Sequence, residues 1–248
     1  MKRQNTFLVL TLFLTMVLTA PAANGQEPTP THSPLALTGY GFFDTHYATG
    51  SVGGGALMLD WRVAPAFQLG GGIEYASSNR ISAKLTGEAT LFTTAKKQRL
   101  TLKNSYLWRH FPSLNLQEFT SALQLGWHAR HADLHMGLCN RYTAELVQRN
   151  NGGEGTVFEP LNVLFAAEGW WNNRLDHHPW NVGVRWSNYN DFIIERVANW
   201  FFSVKGYYLL PDNSTALIAE AGVHPVGSLN LTASYDGFYF HIGAKRTL

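Results

Sequence analysis

The chain has 248 residues, of which 45% are hydrophobic and 13% aromatic, while only 15% carry charge. Its one cysteine, Cys139, excludes an intramolecular disulfide. The formal net charge of +2 gives no electrostatic basis for nucleic-acid binding, and no apolar run after residue 25 reaches the ~18–20 residues that a membrane-spanning helix needs.

The first 25 residues have the features of a secretory signal peptide. Lys2 and Arg3 form a basic head, residues 7–19 are apolar, and small residues follow as far as Gly25. Because the apolar stretch is too short to span a bilayer as a helix, we predict export and cleavage near Gly25. Residues 26–34 are rich in proline and threonine, which predicts a short periplasmic tether.

From residue 35 to residue 248 the chain alternates between apolar and polar residues. In residues 80–92, for example, Ile81 and Leu85 alternate with Ser82 and Lys84. Successive side chains of a β-strand point to opposite faces, so the pattern predicts a sheet with one apolar and one polar face. Turn signals, including Asp236-Gly237, divide residues 35–248 into thirteen candidate segments.

A sheet with one apolar and one polar face occurs in two kinds of β-protein. A soluble sandwich buries its apolar face, whereas a transmembrane barrel turns that face to lipid and encloses the polar one. The segments exceed the ~5–6 residues usual in soluble strands, and aromatic residues such as Trp61, Trp127 and Trp180 lie near segment ends. We therefore predict an all-β fold, a single closed antiparallel up-and-down transmembrane β-barrel over residues 35–248. The alternative is a secreted soluble β-sandwich that acts as a binding protein.

The number of strands is predicted to be even, because single-chain bacterial barrels have even numbers. Twelve strands are expected, with fourteen as the alternative. The surplus boundary is expected within residues 107–116, where the alternation loses phase near Pro112. One hairpin can be given a register: a loop at His131-Ala132 would place His128 opposite His135 and Glu118 opposite Glu145.

The closing segment, residues 237–248, resembles the C-terminal strand of bacterial outer-membrane β-barrel proteins, although it ends in Leu248 where a terminal aromatic is common. Residues 35–248 as a whole resemble these proteins in pattern. The resemblance implies a place in the outer membrane of a Gram-negative envelope. It also implies contact with outer-membrane lipids and recognition of the C-terminal strand by the barrel-assembly machinery. It implies no cofactor and no nucleic-acid partner, and it predicts no particular oligomeric state.

Charged residues fall on the face opposite the apolar one, which predicts a polar lumen of mixed charge. Opposed charges around a narrow pore orient polar solutes, while ion pairs can also fill a narrow barrel. The leading expectation is therefore a non-enzymatic barrel, either a small passive, porin-like channel or a structural or binding barrel. The predicted lumen-lining residues are Glu118, His128, His135, Arg141, Glu145, Glu168, Arg185, Glu195, Asn199, Lys205, Glu220 and His241.

Two motifs point to other chemistry. Residues 185–188 are similar to the His-x-Ser-Asn motif of outer-membrane phospholipase A and lipid A deacylase, but Arg185 stands where the histidine base would be. Ser187 is thus the one catalytic candidate, and a lipid-modifying acyl hydrolase is the alternative function. His128 and His135 are a candidate metal pair, which would hold zinc only with a carboxylate and a water.

Overall fold

The computed structural model describes residues 35–46, 50–145, 156–172, 179–193, 200–212, 214–226 and 234–248. The predicted signal peptide (1–25) and tether (26–34) lie outside the described residues. The strands are β1 (Leu35–His46), β2 (Gly50–Ala64), β3 (Phe67–Ala76), β4 (Ile81–Thr93), β5 (Arg99–Phe111), β6 (Leu116–His128), β7 (Ala132–Glu145), β8 (Thr156–Trp170), β9 (Trp180–Ser187), β10 (Phe201–Leu209), β11 (Thr215–Val226) and β12 (Ser234–Thr247).

The twelve strands form one closed antiparallel barrel. β1 pairs with β2 on one side and with β12 on the other, and every remaining pair is consecutive in sequence. The predicted fold class and the number of twelve strands are confirmed. The sandwich alternative is wrong, because a sheet that closes on itself has no second sheet to pack against. We call the rim where β1 begins and β12 ends the terminal rim, and the opposite one the far rim.

The surplus segment of the sequence prediction lies in β12. This strand runs through Asp236-Gly237, which the sequence predicts as a turn, and its pairing with β11 shifts at His224/Pro225. β5 continues unbroken to Phe111, and a short 3-10 helix at Pro112–Leu114 then leads into β6. The expected location of the surplus boundary, residues 107–116, is therefore wrong.

The predicted register of the β6–β7 hairpin is also wrong, by two residues. His128 pairs with Asp133, Gly126 pairs with His135, and Glu118 pairs with Thr143. The loop is therefore Arg130-His131. A shift of two residues leaves every side chain on its own face, so the alternation of polar and apolar residues has no power to detect it.

The outer surface of the wall is apolar. Large hydrophobic side chains alternate along the strands and are exposed, as in Leu85 at 66%, Met136 at 66% and Ile73 at 60%. A continuous belt of this kind is unfavourable in water, whereas hydrocarbon solvates it. No helix of the described residues is long and apolar enough to cross a membrane.

The inner face of the wall is mostly polar. Buried polar side chains include those of Glu74, Ser82, Arg109 and Asn181. A group of buried apolar residues on β2, β5, β6, β7 and β8 packs together on this face, and we call it the inner apolar patch. It consists of Ala56, Leu107, Ala122, Cys139 and Leu164.

Candidate functional site

The chain leaves the barrel wall where β9 ends and turns into the lumen. The Asn188 side chain takes the place of a strand partner for β8: its amide oxygen accepts a hydrogen bond from the Phe165 backbone nitrogen (2.9 Å), and its amide nitrogen donates to the Val163 carbonyl (2.7 Å). The Ser187 hydroxyl donates to the Tyr189 carbonyl (2.9 Å). Short polar side chains commonly replace backbone hydrogen bonds in this way. We call residues 188–193 the inner segment.

Phe192 anchors the inner segment to the inner apolar patch. Its side chain is 1% exposed and packs with the patch residues, while partly buried Met58, Tyr40 and Tyr189 surround them. Gly72 on β3 makes room for the ring, because a Cβ at that position would lie 3.1 Å from Phe192 Cζ. Burying a phenylalanine in an apolar site stabilises by about 1.5–3 kcal/mol, so the contact favours the inward position of the segment.

Polar contacts hold the same segment to the wall. Asp191 pairs with Lys84 on β4 (3.3 Å), and Arg185 donates to the Tyr189 carbonyl (2.9 Å). Within the segment, the Asn190 side chain accepts hydrogen bonds from the backbone nitrogens of Phe192 (3.0 Å) and Ile193 (2.7 Å). Burial alone would raise the pKa of Asp191, but the cations Lys84, Arg185 and Lys103 outweigh it and hold that pKa well below its usual range.

A cavity of about 340 Å³ lies between the inner segment and the wall. We call it the lumen cavity. In the described part of the chain, four cationic and three anionic side chains line it, together with two histidines, so the cavity is strongly polar. These residues are Lys84, Lys103, Arg185, Lys205, Glu168, Asp191, Glu220, His135 and His241.

The predicted lumen-lining residues divide into three groups. His135, Glu168, Arg185, Lys205, Glu220 and His241 line the lumen cavity. Glu118, His128 and Arg141 lie on the inner face, away from that cavity's lining. The Glu145 side chain and residues Glu195 and Asn199 lie outside the part of the chain that is described.

Several wall charges are paired with neighbours on the wall. Lys205 contacts Glu168 (2.6 Å), and Arg185 approaches the same carboxylate (3.4 Å). Glu118 pairs with Arg109 across the β5–β6 ladder (2.5 Å). The Glu220 carboxylate instead accepts hydrogen bonds from hydroxyl groups, those of Ser203 (2.6 Å) and Tyr239 (2.9 Å), while His241 stacks on Tyr40 with ring centroids 5.3 Å apart.

The fold places the two histidines of the candidate metal pair close together, but it does not provide the further ligands that a metal ion needs. The rings of His128 and His135 lie 5.0 Å apart, centroid to centroid, and Nδ1 of His128 is 2.8 Å from an Asp133 carboxylate oxygen. Among the described residues, no group of three His, Cys, Asp or Glu side chains is placed to hold a metal ion. The metal assignment stays a prediction.

The geometry around Ser187 is that of a turn. The side chain is 1% exposed, and its hydroxyl is engaged by the Tyr189 carbonyl. A nucleophilic serine needs a base within hydrogen-bond reach, and in the described part of the chain no histidine hydrogen-bonds to this hydroxyl. Arg185, at the position of the motif's histidine, binds Glu168 and Tyr189 instead.

Sequence reasoning placed Lys103 on the polar face with the other charged strand residues, but it missed Asp191, Phe192 and Gln124 as residues of the site's centre. Residues 189–191 include Asn190 and Asp191, which are residue types typical of an ordinary turn. The available signal was the loss of alternation near Leu107, an apolar residue on the polar face of β5. An apolar residue facing a polar lumen indicates that something covers it.

No known protein family matches the sequence, and no curated protein matches it. Solved structures do match. The NanC porin aligns with a TM-score of 0.53 and 11% identity over 86% of this chain and 100% of its own. The KdgM porin, solved in complex with disordered oligogalacturonate, aligns with a TM-score of 0.52 and 11% identity over 86% of this chain and 99% of its own. A lower score, 0.47 at 8% identity, is found for Omp33 from Acinetobacter baumannii, over 88% of this chain and 99% of that one.

Identities this low show the fold alone. The protein has the fold of the bacterial outer-membrane β-barrels, which is the class its sequence pattern resembles.

Proposed function

We propose that the protein is a narrow passive channel of the outer membrane that admits small polar solutes, with the inner segment restricting its lumen. One observation carries the proposal: residues 188–193 enter a closed barrel yet leave a charged cavity of about 340 Å³ beside them. A structural barrel would gain stability from a filled interior, and charged groups around unfilled space instead suit solute passage.

Passage would follow from the chemistry of the lining. A polar solute that enters a narrow pore loses part of its water shell, and charged side chains replace the lost interactions. Lys205, Glu168 and Arg185 present both signs within a few ångströms of each other. The inner segment leaves little width, so we propose that only small solutes pass.

The location and partners belong to the same proposal. Outer-membrane lipids would contact the apolar outer wall, and the barrel-assembly machinery would recognise β12, whose outer face carries exposed Phe238, Phe240 and Ile242. Export would require the predicted signal peptide. No observation at Ser187 favours the acyl-hydrolase alternative, since its hydroxyl is engaged in a turn.

Planar-bilayer recording on the purified full chain tests the proposal. We expect small, discrete conductance steps for the native protein and larger steps for a variant carrying both Asp191→Asn and Phe192→Ala, which removes both anchors of the inner segment. Slower gel migration of the boiled than of the unboiled sample would show that each protein is folded as a barrel. The proposal would be overturned if the native protein and the double variant were both folded and neither showed conductance steps.

A further inference from the structure

Asp191 differs from the other described carboxylates of the lumen cavity because it does not belong to the wall. Glu168 and Glu220 project from strands β8 and β11, whereas Asp191 reaches the cavity on the inner segment. Among the described residues Asp191 has one salt-bridge partner, Lys84, and 49% of the Asp191 side chain is exposed against 14% of Lys84. A pair that is open to solvent at one end contributes little stability, so another anion can compete with the Asp191 carboxylate for Lys84.

The wall of the lumen cavity offers a cation, Lys103 on β5, that forms no salt bridge within the described part of the chain. Glu88 is its register partner on β4, but the Glu88 carboxylate approaches Nε2 of His128 (4.0 Å) and forms no salt bridge with Lys103. Lys103 therefore presents an ammonium group to the cavity.

A hydrogen-bond donor stands next to Lys103. Gln124 on β6 pairs in register with Lys103 and also lines the cavity. Its side chain is only 4% exposed, and among the described residues its buried amide nitrogen makes no close hydrogen bond, although it interacts with the Tyr189 side chain of the inner segment. A carboxylate oxygen in the cavity would give this donor a stronger, charge-assisted hydrogen bond.

The charge balance of the wall favours an anion. Among the described residues, and without Asp191, the cavity lining carries four cations, Lys84, Lys103, Arg185 and Lys205, against the carboxylates Glu168 and Glu220. Since ligand pockets in proteins span roughly 300–1,000 Å³, the volume of about 340 Å³ suits a small organic acid.

We infer that Lys84, Lys103 and Gln124 form a binding site for small carboxylate solutes, and that Asp191 is the internal carboxylate that such a solute displaces. The inference rests on the proposed function, because it names the class of solute that the channel would carry. Displacement of Asp191 from Lys84 would also loosen the inner segment, so the bound solute would widen its own path.

Calorimetric titration of the purified full-length barrel in detergent tests this site without any measurement of conductance. The probe is succinate, and succinamide, which has a similar size and no charge, is its control. We expect saturable binding of succinate and none of succinamide. Asp191→Asn should bind succinate several-fold more tightly, because the internal competitor is neutralised.

Lys103→Gln should weaken succinate binding roughly tenfold or more, as expected for the loss of one charge-assisted hydrogen bond. Lys245→Gln is the matched control, since Lys245 pairs with Asp60 and does not line the lumen cavity. Equal binding of succinate and succinamide, or equal affinity in Lys103→Gln and the native protein, would overturn the inference.

The outcomes separate the inference from the proposed function. Conductance steps in a protein that binds no succinate, even as Asp191→Asn, would refute the carboxylate site and leave the channel standing. Succinate binding by a folded barrel without conductance would refute the channel and leave a binding barrel with this site.

Discussion

The β5–β6 and β8–β9 junctions are both formed by adjacent antiparallel strands, but they differ in how much of each strand is paired. β5 and β6 are paired from Arg99 to Phe111, the whole length of β5. β8 is paired with β9 only over Ala166–Trp170, because β9 ends at Ser187 and the chain turns inward. At the first junction the strands are paired along the whole of β5. At the second junction the pairing is short, and the chain that follows β9 forms the inner segment.

An ion pair in the β5–β6 wall and an ion pair that holds the inner segment stabilise different parts of the molecule. Arg109–Glu118 joins strands that backbone hydrogen bonds already hold together. Lys84–Asp191 joins a wall strand to a segment 107 residues away that has no ladder of its own. Similar chemistry therefore contributes to wall stability in one case and to the width of the lumen in the other.

The largest effect should come from Phe192→Ala, which removes the apolar anchor at the β8–β9 side. Large-to-small substitutions of buried phenylalanine cost ~3–5 kcal/mol, so the inner segment should leave the inner apolar patch. Cys139, the chain's single cysteine, is a buried member of that patch. We expect a small polar thiol reagent to label it at least tenfold faster than in the native barrel.

The matched control is Phe43→Ala, because Phe43 lies exposed on the outer wall. Its labelling rate should equal that of the native protein. An unchanged rate in folded Phe192→Ala would mean that the segment is not anchored by its phenylalanine.

The second-largest effect should come from a substitution in the wall that faces the Phe192 ring. A Cβ at Gly72 would lie 2.8 Å from Met58 Cγ, 3.0 Å from the Leu57 carbonyl oxygen and 3.1 Å from Phe192 Cζ. Because the Leu57 oxygen belongs to the backbone of β2, the side chains must give way, so Gly72→Ala should loosen the Phe192 ring and speed Cys139 labelling several-fold. At Gly71 a Cβ would meet only ordinary contacts at 3.5 Å, and Gly71→Ala should label like the native barrel. Equal rates in the two variants would contradict the packing of Phe192 against β3.

A smaller effect distinguishes the two ion pairs directly. Lys84→Gln should raise single-channel conductance about two- to fivefold, since a partly exposed pair is worth ~0.2–1 kcal/mol. Glu118→Gln, in the β5–β6 wall, should leave conductance unchanged and lower only the unfolding temperature. The comparison between the junctions fails if the wall variant changes conductance as much as Lys84→Gln does.

The pKa of Asp191 adds a pH dependence to the same pair. A carboxyl group whose pKa is lower in the folded state contributes stability above its unfolded pKa of ~3.9 and loses that contribution as the pH falls through the folded value. Asp191 should therefore stay ionised from pH 8 to pH 5. The Lys84–Asp191 pair should then restrict the conductance of the native protein equally from pH 8 to pH 5. A marked rise in conductance near pH 5 would contradict an Asp191 pKa that lies below its usual range.

The smallest effect is expected at the terminal rim, in the turn between β10 and β11. Asp212 accepts hydrogen bonds from Ser214 and Thr215, and those from Thr215 are the main reason that its pKa is lowered to about 2. Asp212→Asn should lower the unfolding temperature slightly at pH 7, with no change in Cys139 labelling. The difference should shrink as the pH falls below ~4 and vanish below about 2. A difference that persists there would have another cause.

Much of the wall was predictable from the sequence, and the centre of the site was not. The faces of Leu85, Met136 and Lys205 follow from counting residues along one strand. The register of His128 does not, because a shift by two residues keeps every face. Asp236-Gly237 was misread because a turn-forming pair in a strand differs from a true turn only through its neighbours on β11.

The fold class of this protein and the side of the wall on which its residues lie can both be read from the amino-acid pattern, because both follow from the period of two along a strand. The entry of residues 188–193 into the lumen cannot be read in that way. Their inward position depends on Lys84, on Gly72 and on the inner apolar patch, which come from distant strands. Barrel closure brings these groups within reach of one another, and no local pattern encodes that proximity.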